Sequence, residues 1–192
     1  FCPGGDLLNR IQSVRTRFGP RRYKAPAQAI HWIGQVFLGL EHMHLRMETL
    51  LRDLKPANVV LSEAGCAKLT DFGFGRFGVE SAGGWSFGMP TGSPGYVSPE
   101  VLQQQEYDST ADLYSLGVLV WVLLTGGLLT KVVPEPPLGQ MRYQGDFKAH
   151  FQDCTMLARC LAQPQANGSL PLTGDAQDFV AKLIRRKPSE RM

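Results

Sequence analysis

Between Asp112 and Thr125 the sequence is apolar on nearly every side: Leu113, Leu116, Val120, Leu123 and Leu124 share one helical face, and Val118, Leu119, Trp121 and Val122 fill the others. A helix of this kind has no face to give to water. Other elements must enclose it, so it belongs at the centre of a mostly helical domain. The run is too short to cross a bilayer, contains Tyr114 and Ser115, and follows Asp112 directly, so it reads as a buried helix and not as a membrane span. At 192 residues, with 43% hydrophobic and 19% charged residues, the chain can bury a core of one domain's size.

The remaining pattern supplies that enclosure. A short helix is expected over Leu7 to Val14, after the turn Pro3-Gly4-Gly5-Asp6. A longer one is expected from Ala27 to His44, with Ile30, Ile33, Phe37, Leu40 and Met43 forming a broad buried face beside Trp32 and Val36. In it Gly34 and Gly39 weaken the helix but permit close packing. Val59-Val60-Leu61 and Ala67-Lys68-Leu69-Thr70 read as two short strands around the turn Glu63-Ala64-Gly65. If they pair in register, Asn58 and Asp71 emerge together at the open end. Gly73 to Gly95 is dense in Gly, Ser and Pro and reads as one long loop, a length usually reserved for function or disorder. Residues 131–173 give a mixed pattern broken by Pro134, Pro136 and Pro137, and a last helix is expected from Asp175 to Arg185.

Charge and cysteine content exclude several classes. The net charge of +3 is mildly basic, and the cluster Arg15, Arg17, Arg21, Arg22 and Lys24 reads as a solvated face, so no nucleic-acid partner is expected. Cys2, Cys66, Cys154 and Cys160 show neither C-x-x-C spacing nor a disulfide framework, which suits a reducing, cytoplasmic setting and argues against thiolate metal binding. His31, His42, His44 and His150 fall in no motif, and a structural role is expected for them.

Chemistry concentrates in Leu51-Arg52-Asp53-Leu54-Lys55-Pro56-Ala57-Asn58 and, after the hairpin, Asp71-Phe72-Gly73. Moving a phosphoryl group requires something to orient a hydroxyl, a cation near the travelling phosphate and oxygen ligands for a hard metal ion. Asp53 can serve as the base or orienting group, and Lys55, two residues on, can bring positive charge to the same centre. Asn58 and Asp71 offer oxygen ligands suited to magnesium. Singly, each has a plainer reading: Asp53 in a turn, Lys55 solvated, Asn58 as a cap, Asp71 before a glycine turn. Their order and spacing carry the argument.

That order resembles the protein-kinase catalytic loop H-R-D-L-x-x-x-N followed by D-F-G. The resemblance extends over nearly the whole chain. Ser98-Pro99-Glu100 stands where the family has A-P-E, and Gly92-Ser93-Pro94-Gly95-Tyr96 is similar to the substrate-facing run before it. Asp112 resembles the helix-anchoring Asp that binds catalytic-loop backbone. Arg191 is similar to the distal Arg that pairs with the Glu found here at Glu100. Phe1-Cys2-Pro3-Gly4-Gly5-Asp6-Leu7 resembles the segment leaving the hinge between the lobes, which implies that Asp6 meets the ATP ribose or a basic substrate residue.

The resemblance implies a protein kinase-like α+β fold, with this chain as its mainly α-helical C-terminal lobe with short β-hairpins. It implies ATP and Mg2+ as cofactors, a protein substrate, Asp53, Lys55 and Ser93 in catalysis, Asp6, Lys55, Asn58 and Asp71 at the nucleotide, and Asn58 and Asp71 at the metal. Lys55, and a Ser93 hydroxyl able to bridge Asp53 and Lys55, imply Ser/Thr acceptors, nearest the AGC or calmodulin-dependent groups. Arg52 implies a loop ordered by phosphate, with Ser81, Ser86 and Thr91 as acceptors and Glu80 as an acidic stand-in.

Three departures qualify this. Leu51 replaces the usual His, a position that packs in an apolar spine. Ala57 replaces a Glu common in kinases that select basic sites, so a strong preference for Arg just before the acceptor is not expected. No Gly-rich loop, strand Lys or partner Glu occurs within residues 1–192, so the chain is expected to be a partial kinase domain whose N-terminal lobe is a required partner. An apolar surface around Leu7, Leu51 and Phe72 is then expected to stand open. The competing expectation is a pseudokinase or kinase-like scaffold, which the sequence preceding Phe1 would distinguish.

Overall fold

The computed structural model describes residues 2–19, 23–78, 91–127, 172 and 174–192. Among these are helices α1 (Leu7–Phe18), α2 (Ala29–Met47), α3 (Pro99–Leu102), α4 (Thr110–Thr125) and α5 (Gly174–Leu183), together with two small antiparallel sheets. One pairs β1 (Thr49–Leu50) with β4 (Arg76–Phe77), and the other pairs β2 (Val59–Leu61) with β3 (Ala67–Leu69).

Helix α4 forms the centre. Leu116, Val118, Leu119, Val120, Val122 and Leu123 are all buried, which is what an apolar surface running round the helix demands. It packs against α5 on one side and α2 on another. Gly126 ends it in the left-handed region at φ 67, and its N–H returns to the Val122 carbonyl. No described helix is long and apolar enough to cross a membrane.

Helix α1 begins at an Asp6 cap, whose carboxylate accepts the Asn9 N–H at 2.8 Å. It runs past the expected end at Val14 to Phe18, where the Gly19 N–H closes the last turn on the Arg15 carbonyl at 2.8 Å. Arg15 also hydrogen-bonds the Gly126 carbonyl, tying the last turn of α1 to the end of α4.

Helix α2 spans Ala29–Met47, but its buried stripe is Trp32, Val36, Leu40, Met43 and His44. Ile30 and Phe37, expected in the core, are 68% and 41% exposed. The helix carries apolar residues on more than one side, and the side chosen is the one that meets β3 and α4. Gly39 permits close packing, since a Cβ there would lie 3.0 Å from Leu69 Cδ1, whereas Gly34 faces open space.

The hairpin forms with Val59 opposite Leu69. Beyond the last pair, the Thr70 N–H donates to the Asn58 carbonyl at 3.0 Å, so Asn58 and Asp71 leave from the same end. Helix α2 holds the far end: Trp32 Nε1 donates to the Gly65 carbonyl at 2.8 Å, and Gln35 Oε1 accepts the Ala67 N–H at 2.7 Å. Within the expected loop Gly73 to Gly95, Arg76–Phe77 instead pairs with Thr49–Leu50. Two-residue strands carry no readable periodicity.

The open apolar surface is also only partly as expected. Leu7 and Leu51 are fully buried in the main core, because α1 packs on the 3-10 turn Pro56–Asn58 and the catalytic-loop run folds beneath it. Phe72, Phe74 and Phe77 are the exposed group, at 55%, 46% and 73%. The pattern expected over 131–173 lies outside the described residues except for Leu172, as do Arg21, Arg22, His150, Cys154 and Cys160. Cys2 and Cys66 are free thiols.

Tyr23 joins the core at the end of α4, donating its hydroxyl to the Leu123 carbonyl at 2.8 Å. Burial pushes this phenol up to about 12, with nearby Arg15 opposing the shift. The fold therefore holds the neutral form: its contribution is complete below the unfolded value of 10.0 and is lost as pH rises through about 12. Tyr23→Phe should cost about 1 kcal/mol at neutral pH and flatten the loss of stability in that alkaline window, as read by urea unfolding at successive pH values.

Candidate active site

The loop Leu51–Lys55 has no regular secondary structure, so its shape depends on side chains that hold its backbone. Asp112, in the first turn of α4, does this. Its Oδ2 accepts the Leu51 N–H and its Oδ1 the Arg52 N–H, both at 2.8 Å. Arg52 sits at φ 66, a left-handed conformation that a long side chain adopts only where its surroundings impose it. His44 Nε2 lies 2.8 Å from the same Asp112 Oδ2, and both residues are buried. The assignment of Asp112 as a backbone anchor is thus matched by the geometry, while the His44 contact was not anticipated. One signal was available: His44 continues the Val36–Leu40 stripe, and a polar ring on a buried face needs a partner.

Four of the candidate residues converge at the end of this loop. Lys55 Nζ donates to Asp53 Oδ2 at 2.9 Å and to Ser93 Oγ at 2.6 Å. The ammonium, and not the serine hydroxyl, is therefore the group that joins the two. Asn58 Nδ2 donates to the Asp53 carbonyl at 2.9 Å and to Asp53 Oδ2 at 3.0 Å. Asp53 is almost wholly buried, and its other oxygen, Oδ1, has no hydrogen-bond partner among the described residues. A buried carboxylate oxygen of this kind keeps its capacity to accept one further hydrogen bond.

Asn58 spends its amide nitrogen on Asp53, which leaves its carbonyl oxygen for a ligand. Asp71 stands exposed at φ 60, just before the 3-10 turn Phe72–Phe74. These two are hard oxygen donors on one hairpin end, a set that suits magnesium, which takes one or two protein oxygens and completes its shell with water and phosphate. Asp6 lies apart from this group in its role: both its oxygens hold Asn9, Oδ1 through the backbone N–H and Oδ2 through Nδ2 at 2.7 Å.

Ser93 reaches Lys55 because Gly92 lets its strand of chain pass against the catalytic loop. Gly92 has φ 119, and a Cβ there would fall 2.6 Å from the Arg52 carbonyl oxygen. Gly92→Ala should cost about 1–3 kcal/mol by urea unfolding and separate Ser93 from Lys55, visible as loss of the 2.6 Å contact in a structure of the variant. Of the expected loop acceptors, Thr91 lines a small cavity with Arg52, Ser98 and Tyr107, while Ser81, Ser86 and Glu80 lie outside the described residues.

The expected pair Glu100–Arg191 forms as a bidentate bridge, with Nη1–Oε1 at 2.5 Å and Nη2–Oε2 at 2.7 Å, both side chains buried. Arg191 also donates to the carbonyls of Arg185, Thr110 and Arg186 and lies 5.1 Å from the centre of the Tyr114 ring.

Residues 1–192 match the family described as protein kinase domain. The chain is 31% identical over 193 aligned positions to ribosomal protein S6 kinase 2 alpha of Xenopus laevis and to ribosomal protein S6 kinase alpha-1 of Homo sapiens. It is 32% identical to ribosomal protein S6 kinase alpha-6 of Danio rerio. Each alignment covers 100% of this chain and 22% of the relative, so the chain spans about a fifth of the length of these curated relatives. A family match over every residue, on a chain that gathers Asp53, Lys55 and Asn58 beneath a loop pinned by Asp112, leads to one conclusion: the chain belongs to the protein kinase domain family.

Proposed function

We propose that residues 1–192 are the C-terminal lobe of an ATP-dependent protein serine/threonine kinase, one part of a kinase domain whose N-terminal lobe lies outside these residues. The observation that carries this reading is Asp53: buried, fixed through Oδ2 by Lys55 and Asn58, with Oδ1 unpaired among the described residues. An acceptor hydroxyl donating to Oδ1 would satisfy that atom and place its oxygen for attack on the γ-phosphate. Lys55, already beside Asp53, brings positive charge to the phosphate as negative charge spreads over its oxygens. Ser93, bonded to the same ammonium, aligns the substrate-facing run with the catalytic loop.

Asn58 Oδ1 and the Asp71 carboxylate would hold Mg2+, which would supply positive charge to offset that of the ATP phosphates. Asp6, whose oxygens already cap α1, is the residue of this chain assigned to the ATP ribose or to a basic substrate residue. Phe72, Phe74 and Phe77, exposed around Asp71, form the apolar ground on which the N-terminal lobe would rest. Cytoplasmic, intracellular localisation is part of the same reading and draws on the unpaired cysteines Cys2 and Cys66.

The acceptor class is tested with the full-length protein, ATP, Mg2+ and an equimolar mixture of peptides that differ only in Ser, Thr or Tyr at one position. Phosphoserine and phosphothreonine are expected, with no phosphotyrosine. Transfer confined to Tyr would overturn the assignment of Lys55 and Ser93, and absence of any transfer would favour a scaffold.

A further inference from the structure

Tyr107 lies in the link between α3 and α4, buried beside Leu50, Val97, Val101 and Ala111. Its ring belongs to this small apolar cluster, yet its hydroxyl reaches out of it and accepts a hydrogen bond from Arg52 Nη1 at 3.1 Å. From its Nε, the same guanidinium donates to the Phe74 carbonyl at 2.6 Å. The Arg52 backbone is held from the other side by Asp112 Oδ1. One side chain therefore joins three separate stretches of chain: the catalytic loop, the 3-10 turn Phe72–Phe74 and the α3–α4 link.

That turn carries Asp71 at its start. Among the described residues the Asp71 carboxylate has no hydrogen bond, so its place is set by the backbone of the turn. The β1–β4 pairing fixes the chain on the far side of the turn, at Arg76 and Phe77. Phe74, between that pairing and Asp71, is held by Arg52. A guanidinium is a rigid planar fork, so anchoring its Nη1 edge decides where Nε points.

We infer that Tyr107 is a positioning residue for Asp71: its hydroxyl orients Arg52, and Arg52 in turn holds the Phe74 carbonyl and the turn that presents the Asp71 carboxylate. In this clasp the two partners of the guanidinium among the described residues, a carbonyl and a phenol, are met by two of the five N–H donors that an arginine side chain has. The importance of Asp71 rests on the kinase reading above, whereas the clasp itself rests on the hydrogen bonds.

The test is a double-mutant cycle in the full-length protein with Tyr107→Phe, Arg52→Gln and both together. Tyr107→Phe keeps the buried ring and removes only the hydroxyl. Hydrogen exchange of the segment 72–78 is followed by mass spectrometry, with residues 116–123 of α4 as the control for general unfolding. Each single change is expected to speed exchange in the segment by about three- to tenfold with the control unmoved, and the double variant should match Arg52→Gln alone. In kinase assays the same pattern should appear chiefly as a raised KM for Mg·ATP. Effects that multiply in the double variant, or an unchanged segment in Tyr107→Phe, would overturn the inference. The exchange result is readable even in a protein that transfers no phosphate, so it fails or stands separately from the proposed function.

Discussion

Asp53→Asn in the full-length protein is expected to slow phosphoryl transfer by about 10²–10⁴-fold while Mg·ATP still binds. The amide keeps the shape of the carboxylate and can still accept the Asn58 and Lys55 hydrogen bonds that fix the loop. It removes the negative charge, and with it the ability of the unpaired, buried Oδ1 to draw the proton of an acceptor hydroxyl. Asp71→Asn should differ in kind, because Asp71 takes no part in the Asp53–Lys55–Ser93 chain of contacts and stands exposed at the hairpin end. Its loss should weaken magnesium-dependent nucleotide binding first. Calorimetric titration of both variants with Mg·ATP, beside single-turnover transfer rates, separates them. Equal loss of nucleotide affinity in the two would contradict the division of roles.

The second large effect concerns stability. Arg191→Leu should destabilise the fold by about 3–5 kcal/mol, measured by urea unfolding, because it strands the Glu100 carboxylate in a site that is almost sealed from water. Against a total stability of about 5–15 kcal/mol for an ordinary domain, that is enough to lower expression. Glu100→Gln should cost less, since an amide still accepts from one guanidinium nitrogen, though it leaves the arginine charge only partly met. The double variant Glu100→Met with Arg191→Leu should recover part of the loss, because two apolar side chains leave no buried charge without a partner. A double variant no more stable than Arg191→Leu alone would argue that the other Arg191 bonds, to Thr110, Arg185 and Arg186, carry the effect.

The candidate site was legible because its residues are close in sequence and each has a chemistry that fits one role. Asp53, Lys55 and Asn58 fall within six consecutive positions, and a short hairpin in register returns the chain to Asp71. The central helix was legible for a different reason, since a surface apolar on all sides has only one stable place. What escaped the sequence depends on contacts between distant segments. His44 and Asp112, and Tyr107 and Arg52, are brought together only when α2, α3 and α4 pack, and neither pair is marked by spacing. The buried side of α2 could not be chosen from its pattern because Ile30, Phe37 and Leu45 make a second apolar side that faces out. Leu7 and Leu51 were misplaced at an open surface for the same reason: burial there is decided by α1 closing over the turn at Pro56–Asn58.

In the proposed reading, these residues supply the catalytic-loop half of an ATP site completed by a lobe outside them. Isothermal titration of Mg·ATP into the isolated 192-residue chain, and into the same chain joined to or mixed with the parent's N-terminal lobe, tests it most directly. No tight binding to the chain alone is expected, since no Gly-rich loop or strand lysine lies within residues 1–192 to grip the phosphates, and binding should return together with better solubility once the lobe covers Phe72, Phe74 and Phe77. Micromolar affinity for ATP in the isolated chain would contradict the claim.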